Sequence, residues 1–322
     1  MELPAALRQG VDEVLDGVSL TEIKKAARTL SDRYRAEVRD GRLHMAADLS
    51  VHAYLATRLP ATYAAVRASL YAAREAAPGF TPHTLLDVGS GPGTALWGAA
   101  DVWPDLEQAT LLEASDPARR IGKSLSAALS RITTDWLAGD VTIDMRGLQP
   151  HDLVTCAYVL DEIAPAALPT LIDRLWQLTA GMLVVVEPGT PAGWRRIIDV
   201  RTRLIEAGAT IAAPCPHHAP CPLTPPDWCH FAQRVARSRV HRLAKDADVP
   251  WEDEKFIYLA ATRAPVTDRA SRVLAPPRAG SGKVQLKLCR EDGTVAEQLF
   301  TKRDGQPFKI ARRLDWGDTG AE

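Results

Sequence analysis

The hydrophobic pattern of the chain changes character three times. Residues 1–80 are dominated by alanine, leucine, arginine and glutamate, which favour helix, and predict an N-terminal helical region. Pro60, in YLATRLPATYAAV, breaks that pattern and predicts the start of a new helix, with Thr57 or Leu59 near its first turn. From 81 to 265, short apolar runs alternate with amphipathic stretches. Strands are predicted at 84–88, 109–113, 152–157 and 181–187, helices at 94–102, 117–130, 165–179 and 191–207, and a late strand at 254–263. Such alternation predicts an α/β domain with a parallel sheet between helices. The unbroken apolar strands suit a sheet covered on both faces. Residues 266–282 read as a Pro/Gly/Ser linker. KVQLKLCREDGTVAEQLF then alternates apolar and polar positions around Asp292–Gly293, a β-hairpin signal. The chain divides at 1–80, 81–265 and 266–322, the last being a linker and a small C-terminal β domain.

One stretch follows neither period. Residues 212–238 form an insertion in the α/β region, and 214–231 read PCPHHAPCPLTPPDWCHF. Prolines in that number exclude a helix or a central strand. Three of the five cysteines, Cys215, Cys221 and Cys229, lie here. The remaining composition is that of an ordinary globular protein, with 322 residues, 46% hydrophobic and 25% charged. Net charge is -1, so any nucleic-acid contact must come from a local patch. No apolar run approaches the roughly 20 residues that cross a membrane. The N-terminus has neither a basic start nor an apolar signal core, which gives the expectation of a cytoplasmic protein. Thiols stay reduced there, and clustered cysteines point to a metal or to catalysis.

Residues 85–93 read LLDVGSGPG, placing Gly89, Gly91 and Gly93 between a strand and a helix. Glycines in that setting allow a tight turn and close approach of backbone to a ligand. Asp87 ends the first strand and Glu113 the next, where an acidic side chain can hydrogen-bond ribose hydroxyls. The arrangement resembles motif I of the Rossmann-like S-adenosylmethionine-dependent methyltransferases. The resemblance implies that Asp87, Gly89, Gly91, Gly93 and Glu113 hold the methionine and ribose parts of S-adenosylmethionine. It places Asp140, in LAGDV, beside the adenine. The segment after the fourth strand, CAYVLDEI, lacks both the N-P-P-Y type tetrad of amino-group enzymes and the Pro-Cys pair of cytosine-C5 enzymes. Cys156 reads as a buried core residue. Asp161 and Glu162 suit acid/base work and helix capping equally, so no residue is assigned a catalytic role.

Clustered thiolates suit soft metals. Cys215, Cys221 and Cys229 show no Cys-x2-4-Cys zinc knuckle, and a four-iron cluster needs a fourth thiolate. Cys289 supplies a candidate. In VQLKLC it shares a strand face with Gln285 and Lys287, whereas Val284, Leu286 and Leu288 share the other. A ligand role accounts for a thiol in the polar phase. With zinc in place of iron, His217, His218 and His230 are alternative ligands.

PCPHHAPCPL, DWCHFAQRV, EDEKFIYL, the late Cys289 and RLPATY at 58–63 together resemble the methyltransferase-like assembly-factor family of the bacterial and mitochondrial small ribosomal subunit. The resemblance implies action on the small subunit and its rRNA during assembly. It also implies a 4Fe-4S cluster on Cys215, Cys221, Cys229 and Cys289, with rRNA methylation left open by the departures at 156–163. Basic residues agree with an RNA partner: Arg234, Arg237, Arg239, Arg242 and Lys245 precede any acid, and Lys283, Lys287, Lys302, Arg303, Lys309, Arg312 and Arg313 follow. Two other readings are a zinc-containing methyltransferase for a non-RNA acceptor and a catalytically inactive ribosome-associated structural protein. Nothing in the pattern specifies an oligomeric state.

Overall fold

The computed structural model describes residues 1–36, 43–267 and 269–320. Four helices come first: α1 (Ala5–Leu15), α2 (Leu20–Arg35), α3 (Asp48–Thr57) and α4 (Leu59–Ala76). Pro60 stands in the first turn of α4, where its missing N–H sacrifices no hydrogen bond. These helices do not enclose a core of their own. Ala65, Val66, Leu70 and Ala73 of α4 are buried with the central sheet. Leu7, Val51, Leu59 and Tyr63 pack with Ile121 and Leu125 from further along the chain.

The α/β region follows as β1 (Thr84–Val88), α5 (Thr94–Val102), β2 (Gln108–Glu113), α6 (Asp116–Ser126), β3 (Thr133–Ala138), β4 (His151–Ala157), α7 (Leu168–Gln177), β5 (Thr179–Pro188), α8 (Pro191–Glu206), β6 (Thr210–Ala213), β7 (Phe231–Ala236), α9 (Arg239–Ala244) and β8 (Trp251–Thr262). The strands form one eight-stranded sheet in the order β3-β2-β1-β4-β5-β8-β6, with β7 also paired to β8. β1 to β5 pair in parallel, while β8 runs antiparallel to β5, β6 and β7. This is a Rossmann-like sheet, parallel from β1 to β5 with the antiparallel β8 beyond. Its order reverses between β1 and β4, so a crevice opens at the carboxyl ends of those strands, where α/β sheets bind ligands.

Three strands escape the sequence reading for physical reasons. In β3 only Trp136 is fully buried, so no apolar run marks it. β6 has four residues. β7 lies inside the 212–238 insertion and buries only Phe231 and Val235. The insertion proper is therefore the loop 214–230. The helix predicted at 165–179 is shorter, since a 3-10 turn occupies Pro165–Ala167 and Thr179 already opens β5.

β8 positions the loop. On its outer edge Ala260–Thr262 pair with β6, and Trp251–Phe256 pair with β7. The chain thus leaves the sheet edge at Ala213 and returns to the same strand at Phe231. Beyond β8, a second sheet combines β9 (Arg272–Val273), β10 (Arg278–Gly280), β11 (Lys283–Cys289) and β12 (Val295–Thr301), followed by α10 (Gln306–Ala311). The expected hairpin is β11–β12, in register from Lys283 opposite Thr301 to Cys289 opposite Val295. The stretch read as a linker adds β9 and β10 to the other edge of β11. Strands of two and three residues are too short to show a period. Val284, Leu286, Leu288, Phe300 and Phe308 give this sheet a small core of its own.

Candidate functional site

The crevice at the β1/β4 switch point is a cleft of about 1150 Å³, open mouth included. Asp87, Gly89, Gly91, Glu113 and Asp140 line it, whereas Gly93 lies just behind, capping α5. All three glycines have positive φ, at 71°, 53° and 83°, a region that side chains with a Cβ disfavour. Space adds a second constraint at Gly89, where a Cβ would stand 2.5 Å from Val159.

The two acids differ. Glu113 is buried and accepts hydrogen bonds on both carboxylate oxygens, from the Gly91 N–H at 2.8 Å and the Ser115 N–H at 2.7 Å. It therefore fixes the glycine loop against the start of α6, with second lone pairs left for a ligand. Burial raises its pKa, and those backbone bonds oppose the shift. Asp87, 1% exposed, accepts from the Thr155 hydroxyl at 2.7 Å on one oxygen, while the other has no partner. Burial pushes its pKa up to about 7. An orphaned buried carboxylate oxygen is unusual, and a cationic or N–H-bearing ligand would satisfy it. Asp140 is exposed, and its Oδ1 accepts from the Thr142 N–H at 2.7 Å, closing a turn at the cleft edge.

The segment after β4 forms the far wall. Tyr158 has a positive φ of 57° and donates its hydroxyl to Glu254 at 3.0 Å. Arg58 donates two bonds to the same carboxylate, at 3.0 and 3.4 Å. Glu162 lines the cleft too, and burial, followed by Asp161 and Glu113, pushes its pKa up to about 8. A carboxyl raised that far donates a hydrogen bond when protonated and takes up a proton when ionised, so it suits acid/base work near neutral pH. Tyr158, Ser90 and Ser115 were not singled out in the sequence, because isolated polar residues after strand ends carry no pattern.

The cysteines meet elsewhere. Cys215, Cys221, Cys229 and Cys289 line one almost wholly apolar cavity between loop 214–230, α8, β8 and β11. All are free thiols. Cys289 has the predicted phase, opposite to Leu286 and Leu288, yet it is buried because the loop covers that face. Cys156 lies apart, fully buried in β4 within the main core, as expected of a packing residue. Burial raises the Cys221 and Cys229 thiols and pushes Cys289 up to about 12. A metal in the cavity would reverse that preference.

The donor set fits a thiolate-bound group: four sulfurs, an apolar lining and no competing carboxylate. Among the described residues no three His, Cys, Asp or Glu side chains are arranged to hold one metal ion. The histidines are mostly committed. His218 Nε2 accepts from the Ile211 N–H at 2.9 Å, and His230 stacks on Trp228 and meets Trp316 edge-on. His217 alone approaches a thiol, with Nε2 3.4 Å from Cys289 Sγ.

The basic run is more neutral than the sequence implied. Arg234 pairs with Asp253, Arg237 and Lys245 with Glu252, and Lys287 with Asp227. The balancing acids follow at 252 and 253 on β8, which β7 pairs with directly. Arg239, Arg242, Lys302, Arg303, Lys309, Arg312 and Arg313 remain as candidates for phosphate contact.

A family model described as mitochondrial small ribosomal subunit Rsm22 matches residues 48–320. A human protein named ribosome assembly protein METTL17, mitochondrial, is 28% identical over 283 residues, covering 82% of this chain and 61% of its own length. A Schizosaccharomyces pombe protein named Rsm22-cox11 tandem protein 2, mitochondrial, is 23% identical over 284 residues, 73% of this chain and 38% of its own. The chain thus spans less than two thirds of the length of either relative. Among solved structures, magnesium protoporphyrin IX methyltransferase from Synechocystis PCC 6803 superposes with a TM-score of 0.43 at 14% identity, covering 73% of this chain and 94% of that one. N-methyltransferase NodS from Bradyrhizobium japonicum gives 0.41 at 17%, covering 62% and 86%. The mitochondrial relatives overturn the expectation of a cytoplasmic protein. That expectation rested on the N-terminal composition, and a folded core carries no record of its compartment.

Proposed function

This chain belongs to the family of the mitochondrial small ribosomal subunit protein Rsm22, and from that premise we propose that it serves the small ribosomal subunit as an assembly protein built on a methyltransferase fold. It takes S-adenosylmethionine in the cleft at the β1/β4 switch point. Asp87 receives the amino group, Glu113 the ribose hydroxyls, and the backbone of Gly89, Gly91 and Gly93 lies against the ligand, with Asp140 toward the adenine. Cys215, Cys221, Cys229 and Cys289 hold a four-iron, four-sulfur cluster, which when bound ties loop 214–230 to β11. A cluster spans several ångströms and accepts thiolates farther apart than a single ion does, which suits sulfurs that line a cavity without converging on one point. Contact with rRNA runs through exposed basic residues: Arg239 and Arg242 of α9, Lys302 and Arg303 in the turn after β12, Lys309 of α10, and Arg312 and Arg313 just beyond it.

The observation that carries this reading is the convergence of four thiols from positions as distant as 215 and 289 on one apolar cavity, in a chain whose family match spans them all. Methyl transfer is not needed for it. The Tyr158 hydroxyl and both Arg58 bonds are already spent on Glu254. The test is co-sedimentation of the purified chain with small ribosomal subunits at about 50 and 200 mM salt. The expected result is binding that weakens steeply with salt. Absence of binding at either concentration, with folded protein, contradicts the reading.

A further inference from the structure

Two buried arginines stand at the cysteine pocket without an acidic partner. Arg201, on α8, is 3% exposed, and Arg272, in β9, is 7% exposed. A buried cation is costly unless an anion compensates it. Arg196, one turn earlier on α8, shows the ordinary solution, with its Nε 2.6 Å from the buried Glu187 carboxylate. Among the described residues, Arg201 and Arg272 have no carboxylate within ion-pair distance and donate only to backbone carbonyls. Arg201 Nη2 reaches the carbonyls of His217 and Ala219 at 2.7 and 2.8 Å, and its Nε has no partner. Arg272 reaches the carbonyls of Pro214 and Gly317 at 3.0 and 2.8 Å.

Their location supplies what is missing. Arg201 lines the cavity that the four cysteines share. Arg272 is paired in register with Cys289 across β9 and β11. α8 carries a visible mark of this arrangement: Arg201 falls in the same helical stripe as the buried Ile197, Val200 and Leu204, where a solvated arginine has no place.

We propose that Arg201 and Arg272 are the built-in counter-cations of an anionic four-thiolate metal centre, and that their bonds to the carbonyls of residues 214, 217 and 219 shape the loop around it. The inference rests on the metal reading above. A dipositive four-iron core with four thiolates is a net dianion, as is zinc with the same ligands. Two guanidiniums, Arg201 lining the apolar cavity and Arg272 beside it, balance either one. Cluster potentials follow net charge and surroundings, and an extra electron is easier to place beside two cations in a weakly screening site.

The test uses full-length protein purified without oxygen, as wild type and as Arg201→Gln, Arg201→Lys, Arg272→Gln and Arg272→Lys. Glutamine keeps N–H donors for the carbonyls but removes the charge, whereas lysine keeps the charge and loses the planar fork. Iron and acid-labile sulfide per chain, midpoint potential and the rate of metal loss to a chelator are read for each. The expected result is a more negative potential and several-fold faster metal loss in the glutamine variants, with both largely restored by lysine. Wild-type behaviour in the glutamine variants overturns the proposal, and so does failure of lysine to restore what glutamine loses. Should a variant at 201 not fold, the pair at 272, on the other sheet, gives the same answer. Wild-type protein without iron or zinc would instead overturn the metal reading, a distinct failure seen before any variant is made.

Discussion

The cleft and the cysteine pocket are built on opposite principles. The cleft is made of backbone: three left-handed glycines, two strand ends and a helix start, most of them within 87–115 and rigidly set by the main core. The pocket is made of side chains from four separate elements of two sheets, and its own buried cluster is small, with Trp194, Leu223, Leu274 and Cys289 at its centre. Hydrophobic burial alone can shape the first. The second has only a small buried cluster to hold it, with Arg201 lining the cavity and Arg272 beside it, so the metal proposed there would contribute more of its stability. On the proposed reading, the cleft is grafted on a finished fold, while the metal at the pocket is part of how the fold is finished.

Four experiments sharpen or break that contrast. The largest effect is expected for Cys289→Ser, which removes the only sulfur from the second sheet. Metal content should fall and the melting temperature should drop by roughly 10 °C or more, several kcal/mol at this chain length. S-adenosylmethionine affinity, read by calorimetry on the folded fraction, should hold within about twofold. Loss of cofactor binding together with the metal would show that the two sites are not separate.

Gly89→Ala reverses the pattern. Its φ and its contact with Val159 make the new Cβ cost about 1–3 kcal/mol. Cofactor affinity should fall at least about tenfold with metal content unchanged. An alanine variant that binds as wild type removes the glycine loop from the site.

Asp87 gives a pH signature to the cleft alone. Its pKa moves from 3.8 to about 7 in the folded protein, so between those values the folded state binds more protons than the unfolded state. Stability from this group therefore declines as pH rises through that window, by at most roughly 1.4 kcal/mol per unit. Asp87→Asn should flatten the slope in denaturant melts between pH 5 and 7, and cofactor binding to wild type should tighten across the same range as the carboxylate forms. An unchanged slope in the variant would mean that the buried carboxyl does not titrate there.

The smallest effect is expected for Lys287→Ala. Its pair with Asp227 ties the loop to β11 from the surface side, and partly exposed pairs contribute about 0–1 kcal/mol. Metal content should not change, and a marked loss of metal would shift the clamp from Arg201 and Arg272 to the pocket rim.

How much of this was legible in the sequence follows the same division. LLDVGSGPG announces strand, turn and helix within nine residues, so the cleft was readable. The alternation of β11 placed Cys289 on the correct face. That the face is covered depends on β6 and β7 sharing one edge of β8, a non-local arrangement in short strands with weak periods. The charge balance of the basic run depends on the same pairing, since the acids at 252 and 253 oppose Arg237 and Arg234 across β7 and β8. Arg201 did leave a local signal, a charge in the apolar stripe of α8, but its meaning needed the pocket.

The most direct measurement is iron, acid-labile sulfide and zinc in protein purified without oxygen, with a visible absorption spectrum. About four irons and four sulfides per chain are expected for a cluster held by four thiolates. One zinc without sulfide, or no metal in folded protein, would contradict a four-thiolate cluster at Cys215, Cys221, Cys229 and Cys289.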